Sequence, residues 1–130
     1  MAKKILVADD EAHILHVVSM KLRNAGYEVM TAQDGEEALE LCYAEQPDLI
    51  ITDYQMPFMT GIEFCAEIRN SETCKNIPAV MLTARGFDLD PLEITEAGIS
   101  CVVEKPFSPR EMLAVVTELL KNAEVTRQAG

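Results

Sequence analysis

The sequence predicts an α/β fold in which helices cover both faces of a parallel β-sheet. Short apolar runs alternate with amphipathic stretches along the chain, which is the order expected of successive βαβ units. Most of the runs are continuously apolar, as is typical of strands that are buried on both faces. With 130 residues, of which 48% are hydrophobic, the chain can form one domain with one sizeable core.

Five predicted strands make up the sheet. Each is a short segment bounded by polar, glycine or proline residues, and the most apolar of them are Ile5-Leu6-Val7-Ala8 and Leu49-Ile50-Ile51. The predicted strands lie at about residues 4–8, 27–31, 48–52, 79–82 and 100–104.

Five predicted helices follow the strands, each with apolar residues at three- and four-residue spacing. The fourth is short, because Asp90 is a suitable N-cap, Pro91 suits the first turn, and only about two turns fit before Gly98. We treat 1–121 as a single domain without an effector domain and expect 122–130 to be frayed. The helices lie at about 11–24, 34–46, from 61 onward, 91–97 and from 109 onward.

Composition excludes several classes of function. Eleven basic against 22 acidic residues give a net charge of −11, which disfavours direct contact with nucleic acid or anionic lipid. No apolar run approaches the ~20 residues that span a bilayer, and the N-terminus does not resemble a signal peptide. The four cysteines lack metal-site spacing and are interpreted mainly as small core residues. Together these features indicate a cytoplasmic protein without membrane insertion.

Polar residues follow the predicted strands at their carboxyl ends. Asp9 and Asp10 follow the first strand, Asp53 the third, Thr83 the fourth and Lys105 the fifth. Taken singly, each has an ordinary interpretation as a turn, cap or solvated residue. Because the carboxyl ends of parallel strands meet at one edge, where open α/β folds place their ligands, we expect the five side chains to lie together. Carboxylates suit a hard cation, and a carboxylate can also attack phosphorus. By contrast, His13 and His16 lack a third ligand and are interpreted as surface residues.

These motifs resemble the receiver domain of two-component response regulators. The resemblance is carried by Val7-Ala8-Asp9-Asp10-Glu11, Asp53-Tyr54-Gln55-Met56-Pro57 with Gly61, Leu82-Thr83-Ala84 and Glu104-Lys105-Pro106-Phe107, and it covers about residues 3–121. It implies a flavodoxin-like (βα)5 fold with strand order 2-1-3-4-5.

The resemblance also implies a role for each site residue. Asp53 would accept a phosphoryl group from a sensor histidine kinase or a histidine phosphotransfer protein. Asp10, Asp53 and the backbone carbonyl of Gln55 would bind Mg²⁺ or Mn²⁺, with Asp9 orienting metal-bound water. Thr83 and Lys105 would contact the phosphoryl group, and the domain would assist its own phosphorylation and dephosphorylation without being an enzyme in the ordinary sense.

The resemblance also implies how the chain would signal and where the phosphoryl donor would dock. The chain would act as a monomer on an unknown downstream protein. The donor would dock near helix 1 and the loop after strand 5, with Ile14, Val17 and Phe107 as apolar candidates. The usual aromatic switch position is occupied by Val102, so we expect Thr83 to act through the backbone of 84–90, with Phe87 supplying the moving apolar group, or else the switch to be weak.

Two alternatives remain open at this point. One is an interaction module that does not use phosphate. The other is an aspartyl-phosphate phosphohydrolase, which is disfavoured because Gln55 stands where such enzymes carry a second Asp and because 130 residues leave little room for a substrate cap.

Overall fold

A computed structural model describes residues 2–84 and 89–129, with the side chains of residues 124–129 excepted. Within these residues five strands and five helices alternate along the chain. The strands are β1 (Lys4–Ala8), β2 (Glu28–Ala32), β3 (Leu49–Asp53), β4 (Ala79–Thr83) and β5 (Ile99–Glu104). The helices are α1 (Ala12–Asn24), α2 (Gly35–Glu45), α3 (Gly61–Ile68), α4 (Pro91–Glu96) and α5 (Pro109–Ala129).

The strands form one parallel sheet in the order β2-β1-β3-β4-β5, which confirms the predicted topology. Alternate strand residues supply two hydrophobic clusters, one on each face. Ile5, Ile51 and Leu82 face α1 and α5, whereas Leu6, Ile50 and Met81 face the side covered by α2, α3 and α4. No helix in the described part of the chain is long and apolar enough to cross a membrane.

Local signals explain where α2, α3 and α4 begin. Asp34 accepts a hydrogen bond from Glu37 N at the start of α2, and Thr60 forms a reciprocal capping box with Glu63 at the start of α3. Asp90 caps α4 through Leu92 N with Pro91 in the first turn, as the sequence predicted.

Two differences from the predicted boundaries matter. Asp53 and Thr83 are the last residues of β3 and β4 rather than the first residues after them, so both are fixed by the sheet. The backbone of α5 continues to Ala129, beyond the predicted domain end at residue 121, and the frayed end over 122–130 stays a prediction. The helical spacing of apolar residues in α5 ends at Leu120. A helix that continues beyond its last regularly spaced apolar residue cannot be recognised from that spacing.

Candidate functional site

The carboxyl edge of the sheet brings the predicted site residues together. Asp9 and Asp10 follow β1, Asp53 ends β3, Thr83 ends β4, and Lys105 follows β5. A backbone hydrogen bond of 2.8 Å from Lys105 N to the Thr83 carbonyl holds the ends of β4 and β5 together at this edge. The peptide bond between Lys105 and Pro106 is cis.

Three carboxylates share one small volume. Asp9, Asp10 and Asp53 each place a carboxylate oxygen within 4.8 Å of the others. Asp9 is fully buried and Asp53 is 7% exposed, whereas Asp10 is open to solvent. Asp9 Oδ1 is held by the backbone N–H of Glu11 at 2.9 Å.

Lys105 places a positive charge beside two of these aspartates and beside Glu11. Its Nζ lies 3.1 Å from Asp9 Oδ2, 3.3 Å from Asp53 Oδ1 and 3.0 Å from Glu11 Oε1. The ammonium therefore reaches three carboxylates at once while only 15% of its side chain is exposed. Sequence reasoning missed Glu11 as a member of the site, although it directly follows the Asp9-Asp10 pair.

Burial and charge set the pKa values of the cluster in opposite directions. Burial, reinforced by the charge of Asp9, raises the pKa of Asp53 to about 6 despite the nearby Lys105. Burial also raises the pKa of Asp9, and the Glu11 N–H and Lys105 offset only part of that effect. For Lys105, burial lowers the pKa, but the hydrogen bond to Glu11 and the charges of Asp53 and Asp9 outweigh it and leave the pKa above its ordinary value. The pKa values of both Asp53 and Lys105 therefore lie above their ordinary values. Burial raises that of Asp53, and the ammonium of Lys105, which is shared among several carboxylates, offsets only part of this effect.

The cluster has the chemistry of a divalent cation site. Asp9 Oδ2 is buried and has an ion-pair contact with Lys105 but no hydrogen bond of good geometry. Its neighbours are carboxylate oxygens, which Mg²⁺ prefers. A hard cation would relieve the repulsion among the three acids, so the residues present fit such an ion.

A cavity of about 300 Å³ opens beside the cluster. Asp53 and Glu11 are the only acids in its wall among the described residues, and Thr83 and Lys105 flank it. The wall is formed by Glu11, Asp53, Tyr54, Gln55, Thr83, Ala84, Leu89 and Lys105. The cavity thus gives one sheet-held carboxyl, one hydroxyl and one ammonium a common space.

The other predicted positions are distributed around this site. Val102 is half-buried and packs against the cluster beneath α2, α3 and α4. The predicted switch segment falls partly on residues 85–88, including Phe87, which lie outside the described residues. His13 and His16 are exposed, as predicted.

Of the three docking candidates, two belong partly to the core. Ile14 and Phe107 are half-buried and pack against the cluster beneath α1 and α5. Val17 lines a shallow groove of about 450 Å³ between α1 and the start of α5, together with the exposed Met20.

Known proteins of one kind are similar to this chain over most of its length. The family described as "Response regulator receiver domain" matches residues 5–117. The alkaline phosphatase synthesis transcriptional regulatory protein PhoP of Bacillus subtilis is 42% identical over 125 residues, which cover 96% of this chain and 51% of PhoP. A probable transcriptional regulator, ycf27 of Cyanophora paradoxa, is 43% identical over 122 residues, covering 94% and 50% of the two chains. The chain therefore spans about half the length of these curated relatives.

Solved structures show the same fold. The chemotaxis response regulator CheY4 of Vibrio cholerae has a TM-score of 0.85 and 37% identity, covering 91% of this chain and 98% of CheY4. A CheY-like receiver domain protein of Methanospirillum hungatei has a TM-score of 0.90 and 27% identity, covering 97% and 99%.

Proposed function

Because the chain belongs to the response regulator receiver domain family, a family of phosphoacceptors in two-component signalling, we propose that Asp53 is its phosphoacceptor. The observation that carries this assignment is that Asp53 ends the central strand β3 and opens into a cavity that Thr83 and Lys105 also line. Asp9 and Asp10 do not line that cavity. The pKa of about 6 leaves the Asp53 carboxyl mostly ionised at neutral pH, which a nucleophile requires.

The reaction is transfer of one phosphoryl group. A carboxylate oxygen of Asp53 forms a new bond to phosphorus as the bond from phosphorus to the donor's histidine nitrogen breaks. In this proposal Lys105 and Thr83 stabilise the charge on the phosphoryl oxygens, which their position in the wall of the cavity supports. Lys105 would give up part of its contact with Asp53 to do so. The donor in this proposal is a histidine kinase or a histidine phosphotransfer protein.

Receiver domains bind Mg²⁺ at an acidic pocket, and the three clustered aspartates supply such a pocket here. We assign Asp10, Asp53 and the backbone carbonyl of Gln55 as direct ligands of Mg²⁺ or Mn²⁺. Asp9 would act through metal-bound water, since Lys105 and the Glu11 N–H already engage its carboxylate. When bound, the ion supplies positive charge that neutralises the cluster and the incoming phosphoryl oxygens.

Acetyl phosphate with Mg²⁺, followed by intact mass measurement, tests the assignment. The wild-type chain and Asp34→Asn, a matched change at the cap of α2, are expected to gain one phosphoryl group. Asp53→Asn is expected to gain none. Equal labelling of Asp53→Asn would overturn the assignment, whereas turnover without an adduct would indicate a phosphohydrolase and no reaction at all would indicate a phosphate-independent module.

A further inference from the structure

Phe58 combines the most exposed large apolar side chain in the described residues with a strained backbone. Its side chain is 77% exposed and its φ is +75°. Met59 N donates to the Pro57 carbonyl at 2.9 Å, so Phe58 is the central residue of a γ-turn with positive φ. This turn is rare and strained, and an aromatic residue has no side-chain atom that could compensate for it.

The turn is held rigidly on both sides. Gly61 N donates to the Tyr54 carbonyl at 2.8 Å, and the capping box of α3 fixes Thr60. Met59 packs against Gly35 so closely that a Cβ at Gly35 would overlap its side chain. A Cβ at Gly61 would likewise overlap the Asp53 carbonyl oxygen. The loop is therefore fixed to the strand that carries Asp53 and to the first turn of α2.

Neither the fold nor the site uses the Phe58 ring. Met56 and Met59 pack against the core, whereas Phe58 does not, and it does not line the cavity beside Asp53. Strain and exposure together cost the folded chain stability, and this combination points to a contact with another molecule. Rigid, preorganised aromatic side chains are the usual anchors of protein interfaces.

Resting on the proposed function, we propose that Phe58 is an anchor for the histidine-phosphorylated donor protein and determines which donor is accepted. It lies five residues after Asp53 in a loop that ends beside Asp53 itself, so a protein that delivers a phosphoryl group to that carboxyl passes close to the ring. Through Met59 and Gly35 the loop adjoins the acidic first turn of α2, where Glu36 and Glu37 are exposed. The complementary partner presents an apolar socket bordered by lysine or arginine side chains.

The test compares a protein donor with a small one. The protein donor is the autophosphorylated histidine kinase that transfers fastest to the wild-type chain, chosen from the kinases encoded in the same genome, and the small donor is acetyl phosphate. Phe58→Asn is expected to slow transfer from the kinase at least about tenfold while leaving labelling by acetyl phosphate unchanged. Because asparagine tolerates positive φ, the variant is also expected to melt no lower than wild type.

Leu92→Asn is the matched control, because Leu92 is 69% exposed on α4 and is expected to leave both reactions unchanged. Unchanged kinase transfer in Phe58→Asn would overturn the inference, as would an equal loss in Leu92→Asn or a panel in which no kinase labels the wild-type chain. If acetyl phosphate labels Asp53 in every one of these cases, the proposed function stands and only the role of Phe58 fails.

Discussion

Lys105 contacts three carboxylates, and this sharing governs the behaviour of single residues at the site. In a one-to-one ion pair the pKa of the acid usually falls, but here Asp53 receives only part of the ammonium's field and is buried beside Asp9. The folded protein without metal therefore holds a carboxylate whose charged form is less stable than it would be in water. A further positive charge in the cluster would therefore stabilise the ionised form of Asp53.

Asp53→Asn is expected to stabilise the metal-free protein in a pH-dependent way. The pKa of Asp53 is about 6 in the folded state and near 4 when unfolded, so the folded state holds the proton more tightly between these values. The wild-type contribution is present below pH 4 and is lost as pH rises through 6. The variant's advantage in free energy of unfolding should thus grow to roughly 1–3 kcal/mol by pH 7, part of it being offset because Lys105 loses a partner.

Urea unfolding in EDTA between pH 4 and pH 8 measures this advantage. Asp34→Asn, at the N-cap of α2, is the control and should show no rise through pH 6. An advantage of Asp53→Asn that is constant with pH, or that is larger at pH 4 than at pH 7, would contradict the expected electrostatics.

The sequence identified the site residues whose positions depend on local signals and missed those that depend on distant contacts. Asp53, Thr83 and Lys105 each follow an apolar run, so their place at the sheet edge could be predicted. Glu11 joins the site through Lys105, which lies 94 residues away in the chain. Nothing in the sequence predicts positive φ at Phe58, because aromatic residues do not favour it.

At the scale of elements, the contact between α3 and the turn from α4 to β5 depends on one arginine. Arg69 donates from Nε to the Ala97 carbonyl at 2.8 Å, from Nη2 to the Gly98 carbonyl at 3.2 Å and from Nη1 to the Lys75 carbonyl at 2.8 Å. Ala97 is the C-cap of α4, so Arg69 satisfies a carbonyl that the short helix leaves without an intrahelical partner. The sequence did not reveal this role, because these carbonyls carry no residue-specific signal.

Arg69→Ala is expected to lower the free energy of unfolding by roughly 1–2 kcal/mol, because it leaves the partly buried carbonyl of Ala97 without its charged donor. Arg69→Lys should recover little, since one ammonium cannot reproduce the planar fork of donors. Denaturant unfolding measures both effects, with Arg110→Ala as the exposed control. A loss below about 0.5 kcal/mol in Arg69→Ala, or full recovery with lysine, would show that the clamp does not stabilise this junction.

At the scale of the whole molecule, the strand order and the two-sided core followed from the sequence and its family resemblance. Continuous apolar runs such as Leu49-Ile50-Ile51 have to be covered on both faces, which requires helices on each side of the sheet. The C-terminal end of α5 could not be predicted, because the helical spacing of apolar residues in the sequence stops at Leu120 while the helix continues to Ala129. The action of Thr83 through the backbone of 84–90, with Phe87 as the moving apolar group, stays a prediction, since residues 85–88 lie outside the described residues.

Because of the net charge of −11 and the three clustered carboxylates, we expect the stability of the whole fold to depend on metal. A cation that binds only the folded state stabilises it by mass action, by about 2.7 kcal/mol at 100 times its Kd, which corresponds to roughly 8–15 °C in Tm for a domain of this size. The Tm shift with Mg²⁺, measured at constant ionic strength, should shrink most in Asp10→Ala, then in Asp53→Asn, and least in Asp9→Ala. Asp10 ranks first because no hydrogen bond or ion pair among the described residues engages its carboxylate, whereas that of Asp9 is already held. Asp34→Asn should keep the full shift, and an undiminished shift in Asp10→Ala would refute the ranking.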